Sequence, residues 1–223
     1  MKTLFILFIS SLGAFSTYAN AQQQTIPADP STIRLQEDWM FARGQHPGAM
    51  LVDYDATKWE PVRVPHDWAI AGPYDPDGDP HQGKLPWKGE GWYRKWVDLP
   101  ETIDGKQVYL DFDGVMASPR VFVNGHYAGG WDYGYMAFRV DATPFIEPGE
   151  PNLITVQAST WQHHSRWYPG AGIFREVNLV VENPVHVAHW GVSITTPEVS
   201  LEEAKVDVAV ELVETGWAMV WPR

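Results

Sequence analysis

Beyond a short apolar leader, apolar and polar side chains alternate with a period of two along much of the chain, and turn residues separate the runs. Arg94-Lys95-Trp96-Val97-Asp98-Leu99 follows a glycine-rich bend and reads as a half-buried strand. Val108-Tyr109-Leu110-Asp111-Phe112-Asp113 alternates up to Gly114, as expected of a strand with one face on a core. Arg120 to Val123, Asn124-Gly125 and His126 to Ala128 form a hairpin signal, because Asn-Gly tolerates the positive φ angles of a type I′ turn. Met136 to Val140 and Leu153 to Ala158 predict further strands around the Pro148-Gly149 turn, and Ile173 to Val181 predicts another. The 18 prolines and 19 glycines fall mostly between these runs. No stretch holds a helical period over three turns. The pattern predicts an all-β jelly-roll sandwich.

Three segments follow from punctuation. Residues 1–21 read as a cleaved secretory signal: Lys2, an apolar run from Leu4 to Ile9, and a small-residue site at Ala19-Asn20-Ala21. That apolar run is too short to span a bilayer, and the expected location is secreted or periplasmic. Residues 22–183 are assigned to the jelly roll, ending at Asn183-Pro184, where proline interrupts a ladder. Residues 184–223 hold two more alternating runs, His186 to Thr195 and Lys205 to Val213. They read as the opening strands of an immunoglobulin-like sandwich, which needs about 100 residues in all; this domain is expected to be truncated. The apolar run Gly216 to Arg223 breaks the alternation and is expected to be a reading-frame artefact.

Composition narrows the function. The net charge is −12, and loss of the leader's Lys2 makes it more negative, which opposes binding to nucleic acid or to an anionic membrane surface. With no cysteine there is neither a disulfide framework nor a thiol nucleophile, so an exported domain must rest on its core. Twelve tryptophans are too many to be filler, and the residue suits both a core and a stacking platform for sugar rings.

The densest chemistry lies in Ser165-Arg166-Trp167-Tyr168-Pro169-Gly170-Ala171-Gly172-Ile173-Phe174-Arg175-Glu176-Val177. Two aromatics and an arginine precede two turn glycines. Aromatic faces take the C–H face of a sugar ring, and a guanidinium can hydrogen-bond its hydroxyls. The competing reading is a glycine-rich corner with buried aromatics.

Together with Val64-Pro65-His66-Asp67-Trp68-Ala69-Ile70, Gly91-Trp92-Tyr93-Arg94-Lys95, Leu110 to Val115 and Val123-Asn124-Gly125-His126, that stretch resembles the N-terminal sugar-binding domain of family 2 glycoside hydrolases, the β-galactosidase and β-glucuronidase group. The ordered set spans Trp39 to Val177 and is closer to the β-galactosidase branch. The resemblance implies a modular retaining hydrolase in which a jelly roll and an immunoglobulin-like domain precede an (α/β)-barrel carrying both catalytic glutamates, about 5–5.5 Å apart. No segment of this chain matches that barrel, so no catalytic residue is assigned and the chain alone is expected to be inactive. The missing barrel is the expected intramolecular partner, and a β-galactoside or related glycoside the expected ligand.

In this family the jelly roll lends residues to the wall of the sugar pocket. The residue before the glycine turn is commonly acidic there; here those places hold His164 and Arg166. Arg166 either reaches a sugar hydroxyl or a catalytic carboxylate, or pairs within the sandwich. Trp167 and Tyr168 divide in the same way, with Trp167 the better candidate for the core. Asp67 either lines the pocket or, as expected, caps its turn. Trp87, in the Gly72 to Gly89 loop, is the candidate for a specificity platform.

Other motifs carry less. Asp111 and Asp113 share a strand face and are expected to be solvated. Asp75-Pro76-Asp77-Gly78-Asp79 resembles a calcium loop, but Pro80 and Pro86 stand where glycine and glutamate belong. Neighbouring strand residues such as His163-His164 point to opposite faces, so neither metal nor cofactor is assigned. Two other classes compete with the hydrolase: a free-standing carbohydrate-binding module, and a structural sandwich without a sugar ligand.

Overall fold

The computed structural model describes residues 24–25, 29–162 and 165–215. The leader, His163-His164 and the run from Gly216 to Arg223 lie outside the described residues. Among the described residues thirteen strands run in chain order: β1 Gln24–Thr25, β2 Ser31–Arg34, β3 Trp39–Arg43, β4 Glu60–Val62, β5 Glu90–Asp98, β6 Gln107–Phe112, β7 Arg120–Val123, β8 His126–Gly130, β9 Phe138–Asp141, β10 Pro151–Ser159, β11 Val177–Glu182, β12 Val185–Val199 and β13 Ala204–Glu214. Short 3₁₀ turns occur at Pro80–Gln82, Glu101–Ile103 and Thr143–Phe145. The larger sheet is ordered β4-β3-β5-β10-β7-β8 with β1 beside β5, and the smaller is β2-β11-β6-β9. From β5 to β11 the chain crosses repeatedly between the two, so the fold is an all-β sandwich of jelly-roll type.

The core lies where the inner faces meet. Ile154 pairs with Lys95 and Val123, and Val156 with Tyr93 and Val121; in the facing sheet Leu179 pairs with Leu110 and Ile33. Tyr93, Val121, Val156, Leu110, Phe112, Val140 and Leu179 are buried together. The outer face of the larger sheet is also covered. The chain between β3 and β4 folds back across it, placing Ala49 and Trp59 on Trp92 and Phe122, with Met40 and Ala42 beside them. Arg94 fastens this flap, donating to the carbonyls of Ala49, Leu51 and Val52 with its guanidinium over the Tyr54 ring.

The Asn-Gly hairpin forms as expected, with φ of 49° at Asn124 and 85° at Gly125. Asn124 also ties down the Pro148-Gly149 turn. Its Nδ2 donates to Phe145 O and Asn152 Oδ1, and its Oδ1 accepts from Leu153 N. Buried Asn152 fills the remaining valences with the backbone of Glu147 and Glu150, as a polar group in a core must.

Three expectations are corrected. Strands β2 to β4 carry no clear alternation and were not expected. The last sandwich strand begins at Val177 rather than Ile173, because Gly172 and Ile173 spend their backbone groups on Met116 and His66 instead of a ladder. Asp111 is paired and mostly covered rather than part of an open solvated face: both its oxygens accept from Arg139 at 2.7 and 2.8 Å, and that guanidinium lies over Tyr109.

Strands β12 and β13 form a two-stranded ribbon. Val192 faces Val210 and Ile194 faces Val208 across it, and these side chains are exposed. At its base His186 meets Glu182 of β11 at 3.1 Å.

Candidate functional site

The turn from Ser165 to Glu176 crosses one end of the sandwich between β10 and β11. Two segments distant in sequence hold it. Trp68 N donates to Ala171 O at 3.1 Å and His66 N to Ile173 O at 2.7 Å, so the Pro-His-Asp-Trp loop runs alongside it. Gly172 exchanges hydrogen bonds with Met116 at 2.6 and 2.9 Å. Both turn glycines are required by the backbone, with φ of 97° at Gly170 and 108° at Gly172. A Cβ on Gly172 would stand 2.1 Å from the Tyr93 hydroxyl.

Beneath the turn is Trp87. It is 1% exposed, and its Nε1 donates to Gly170 O at 2.5 Å. This corrects the platform role: a side chain with no accessible face cannot stack on a ligand. Buried Thr160 joins the same layer, donating to Trp87 O and accepting from Gly89 N. From the other side Gln82 Nε2 donates to Ser165 O at 3.0 Å.

Trp167 reverses the expectation in the opposite sense. It is 59% exposed rather than buried in the core, and its Nε1 donates to the Tyr135 hydroxyl at 2.7 Å. Arg166 is exposed and makes no hydrogen bond or ion pair among the described residues. Tyr168 is half-buried against the core and donates to Asp67 Oδ1 at 2.5 Å. Burial first, then the Asp67 carboxylate, push the Tyr168 phenol far above its ordinary range, so it stays a neutral donor. Asp67 Oδ1 also accepts from Ala69 N and Ile70 N at 3.0 and 3.2 Å; this is the turn-capping geometry. The site therefore brings together Asp67, Arg166, Trp167 and Tyr168, while His164 lies outside the described residues.

The sequence reading missed Tyr135 and its neighbour Tyr133, whose rings lie 5.7 Å apart. Their signal was present in Trp131-Asp132-Tyr133-Gly134-Tyr135, an aromatic run broken by glycine between two strands. Elsewhere, Asp75 and Asp79 each accept from the backbone N–H two residues on. Among the described residues no three His, Asp or Glu side chains gather at metal-binding distances.

His66 couples the site to pH. Its Nδ1 lies 2.9 Å from the Tyr93 hydroxyl, and burial holds the imidazole below its ordinary 6.5 against the opposing pull of Glu60 and Asp67. The unfolded chain then binds the proton first, so stability contributed above about pH 6.5 is lost as pH falls through the lower folded value. Urea midpoints are expected to decline below about pH 6.5, and His66→Gln to flatten part of that decline. An unchanged slope in His66→Gln would refute the assignment.

Comparison with known proteins gives this geometry a context. Residues 34–184 match the family model "Glycosyl hydrolases family 2, sugar binding domain". The chain is 38% identical over 180 residues to "Beta-galactosidase BoGH2A" of Bacteroides ovatus, covering 79% of this chain and 21% of that protein. It is 29% identical over 180 residues to a "Beta-glucuronidase" of Formosa agariphila, covering 72% and 18%. Among solved structures, a β-glycosidase from Bacteroides vulgatus superposes with a TM-score of 0.78 at 32% identity, over 83% of this chain and 24% of that one. The chain thus spans about a fifth of the length of these curated relatives. With most of its length under the family's sugar-binding model, and the glycine turn, the Pro-His-Asp-Trp loop and the Asn-Gly hairpin in one sandwich, the chain belongs to glycoside hydrolase family 2.

Proposed function

We propose that this chain supplies the N-terminal sugar-binding part of an exported β-galactosidase-like glycoside hydrolase, whose catalytic carboxyl groups reside in an (α/β)-barrel outside this sequence. In this reading residues 1–21 direct export, and Arg166 and Trp167 form part of the wall of the sugar pocket, with Tyr168 and Asp67 holding them in place. The observation that carries it is the turn itself: a buried layer fixes its glycines while Arg166 and Trp167 face outward. Core aromatics do not need such presentation, and a sugar-facing wall does. The exposed apolar face of the β12–β13 ribbon supports the modular part of the proposal. It is one half of a sandwich, and the further strands of an immunoglobulin-like domain would cover it.

The β-galactoside is preferred over the β-glucuronide because the stronger relative is named a β-galactosidase and because the chain is acidic. The test is a chimera in which residues 22–183 replace the matching segment of the Bacteroides ovatus β-galactosidase. Hydrolysis of a chromogenic β-galactoside is expected in the chimera and none in the present chain alone. A folded chimera that cleaves neither β-galactoside nor β-glucuronide, or cleavage by the present chain alone, would overturn the proposal.

A further inference from the structure

A cleft at the edge of the larger sheet shares no residue with the glycine turn. It has a volume of about 370 Å³ and is lined by Ser118, Pro119, Arg120, Tyr127, Gly130, Trp131 and Asp132, at the β7–β8 edge of the larger sheet. Its shape follows from two local features. A register shift between Val121 and Phe122 puts one extra residue into β8, and such bulges re-aim the side chains beside them. Gly130 then lets that strand close on Pro119, where a Cβ would stand 2.3 Å from the carbonyl oxygen.

The side chains around it combine three chemistries. Tyr127 and Trp131 are 54% and 44% exposed, so much of each aromatic side chain is accessible to a ligand. Tyr127 is held edge-on against Phe122 at 5.6 Å, and the Arg120 guanidinium lies over both rings at 5.4 and 5.6 Å. These two cation–π contacts restrain Arg120, so less freedom is lost when its N–H groups bind a ligand oxygen. Asp132 adds a carboxylate acceptor on the rim.

We infer that this cleft is a carbohydrate-binding site for a neutral pyranose unit. Aromatic faces would take the C–H face of the ring, Arg120 would donate to ring or hydroxyl oxygens, and Asp132 would accept from hydroxyls. Neutral sugars are favoured over uronates because Asp132 offsets the charge of Arg120 within the cleft and the net charge of −12 repels a ligand carboxylate. Trp131 begins the run that ends at Tyr135, the partner of Trp167, so the cleft is joined to the glycine turn by five residues of one loop.

The experiment follows indole N–H resonances in the ¹⁵N-labelled full chain, with Trp131 and Trp167 assigned by Trp131→Phe and Trp167→Phe. Neutral galacto- and gluco-oligosaccharides and an oligogalacturonate are the probes. The Trp131 signal is expected to titrate with a neutral oligosaccharide and not with the uronate. Tyr127→Ala should weaken that titration roughly tenfold, the loss typical of one aromatic contact. Arg120→Ala should weaken it too, while the other indole signals show that each variant is folded. The inference is overturned if no probe moves Trp131, if the uronate moves it as strongly, or if Tyr127→Ala leaves the titration unchanged. The Trp167 signal reports separately on the glycine turn, so failure at one place is distinguishable from failure at the other.

Discussion

Gly172→Ala is expected to destabilise the sandwich by about 4 kcal/mol, as the sum of an unfavourable backbone angle and an overpacked contact. With φ at 108°, alanine is strained before any neighbour is considered. The new methyl would then stand 2.1 Å from the Tyr93 hydroxyl, 3.1 Å from His66 O and 3.2 Å from a Trp68 ring carbon. None of these neighbours can retreat, since Tyr93 is fully buried and His66 and Trp68 are bonded through their backbones to the same turn. For a domain of this size the melting midpoint should fall by roughly 10 °C. Tyr93→Phe removes the nearest atom, so Gly172→Ala should cost about 1–2 kcal/mol less in that background. Equal costs in both backgrounds, measured by urea unfolding, would show that the contact does not limit the turn.

Trp87→Ala is expected to cost about 4–5 kcal/mol. Deleting a buried tryptophan typically removes 3–5 kcal/mol, and here the Gly170 carbonyl also loses the indole that donates to it, worth about 1 kcal/mol. Trp87→Phe should recover about half of the loss by refilling the volume without the donor. Trp167→Ala, by contrast, should stay within about 0.5 kcal/mol of the parent, because its ring is mostly in solvent. Comparable losses for the two tryptophans in urea unfolding would invalidate the division into a buried support and an exposed wall.

These two tryptophans show how far the sequence could be read. Strands with one face on the core, such as β6 and β11, alternate and were legible. Strand β3 was not, because Trp39 and Phe41 enter the main core while Met40 and Ala42 lie under the returning flap; both faces are covered and no polar residue marks the period. Strand β4 is three residues long with a proline at its centre, which leaves no pattern at all. In the site, the Asx cap at Asp67 was legible because its partners lie two and three residues away. The fates of Trp87 and Trp167 were not, since they depend on Gly170 and Tyr135, which lie 83 and 32 residues away in the chain. Asp111 was misread for the same reason, its partner Arg139 standing on a different strand.

The turn itself was nevertheless recognisable as a unit. Arg166 and Trp167 precede the glycine pair by a few residues in sequence, and the backbone bonds of the turn to Met116, His66 and Trp68 place that stretch at one end of the sandwich. What depends on distant contacts is only which aromatic supports the turn and which faces outward.

The most direct test of that arrangement is the kinetics of the chimera carrying Arg166→Ala or Trp167→Ala. A wall of the sugar pocket predicts a KM for β-galactoside raised roughly tenfold by either substitution, as for one lost binding contact, at unchanged melting temperature. Unchanged KM and kcat in both folded variants would contradict the account.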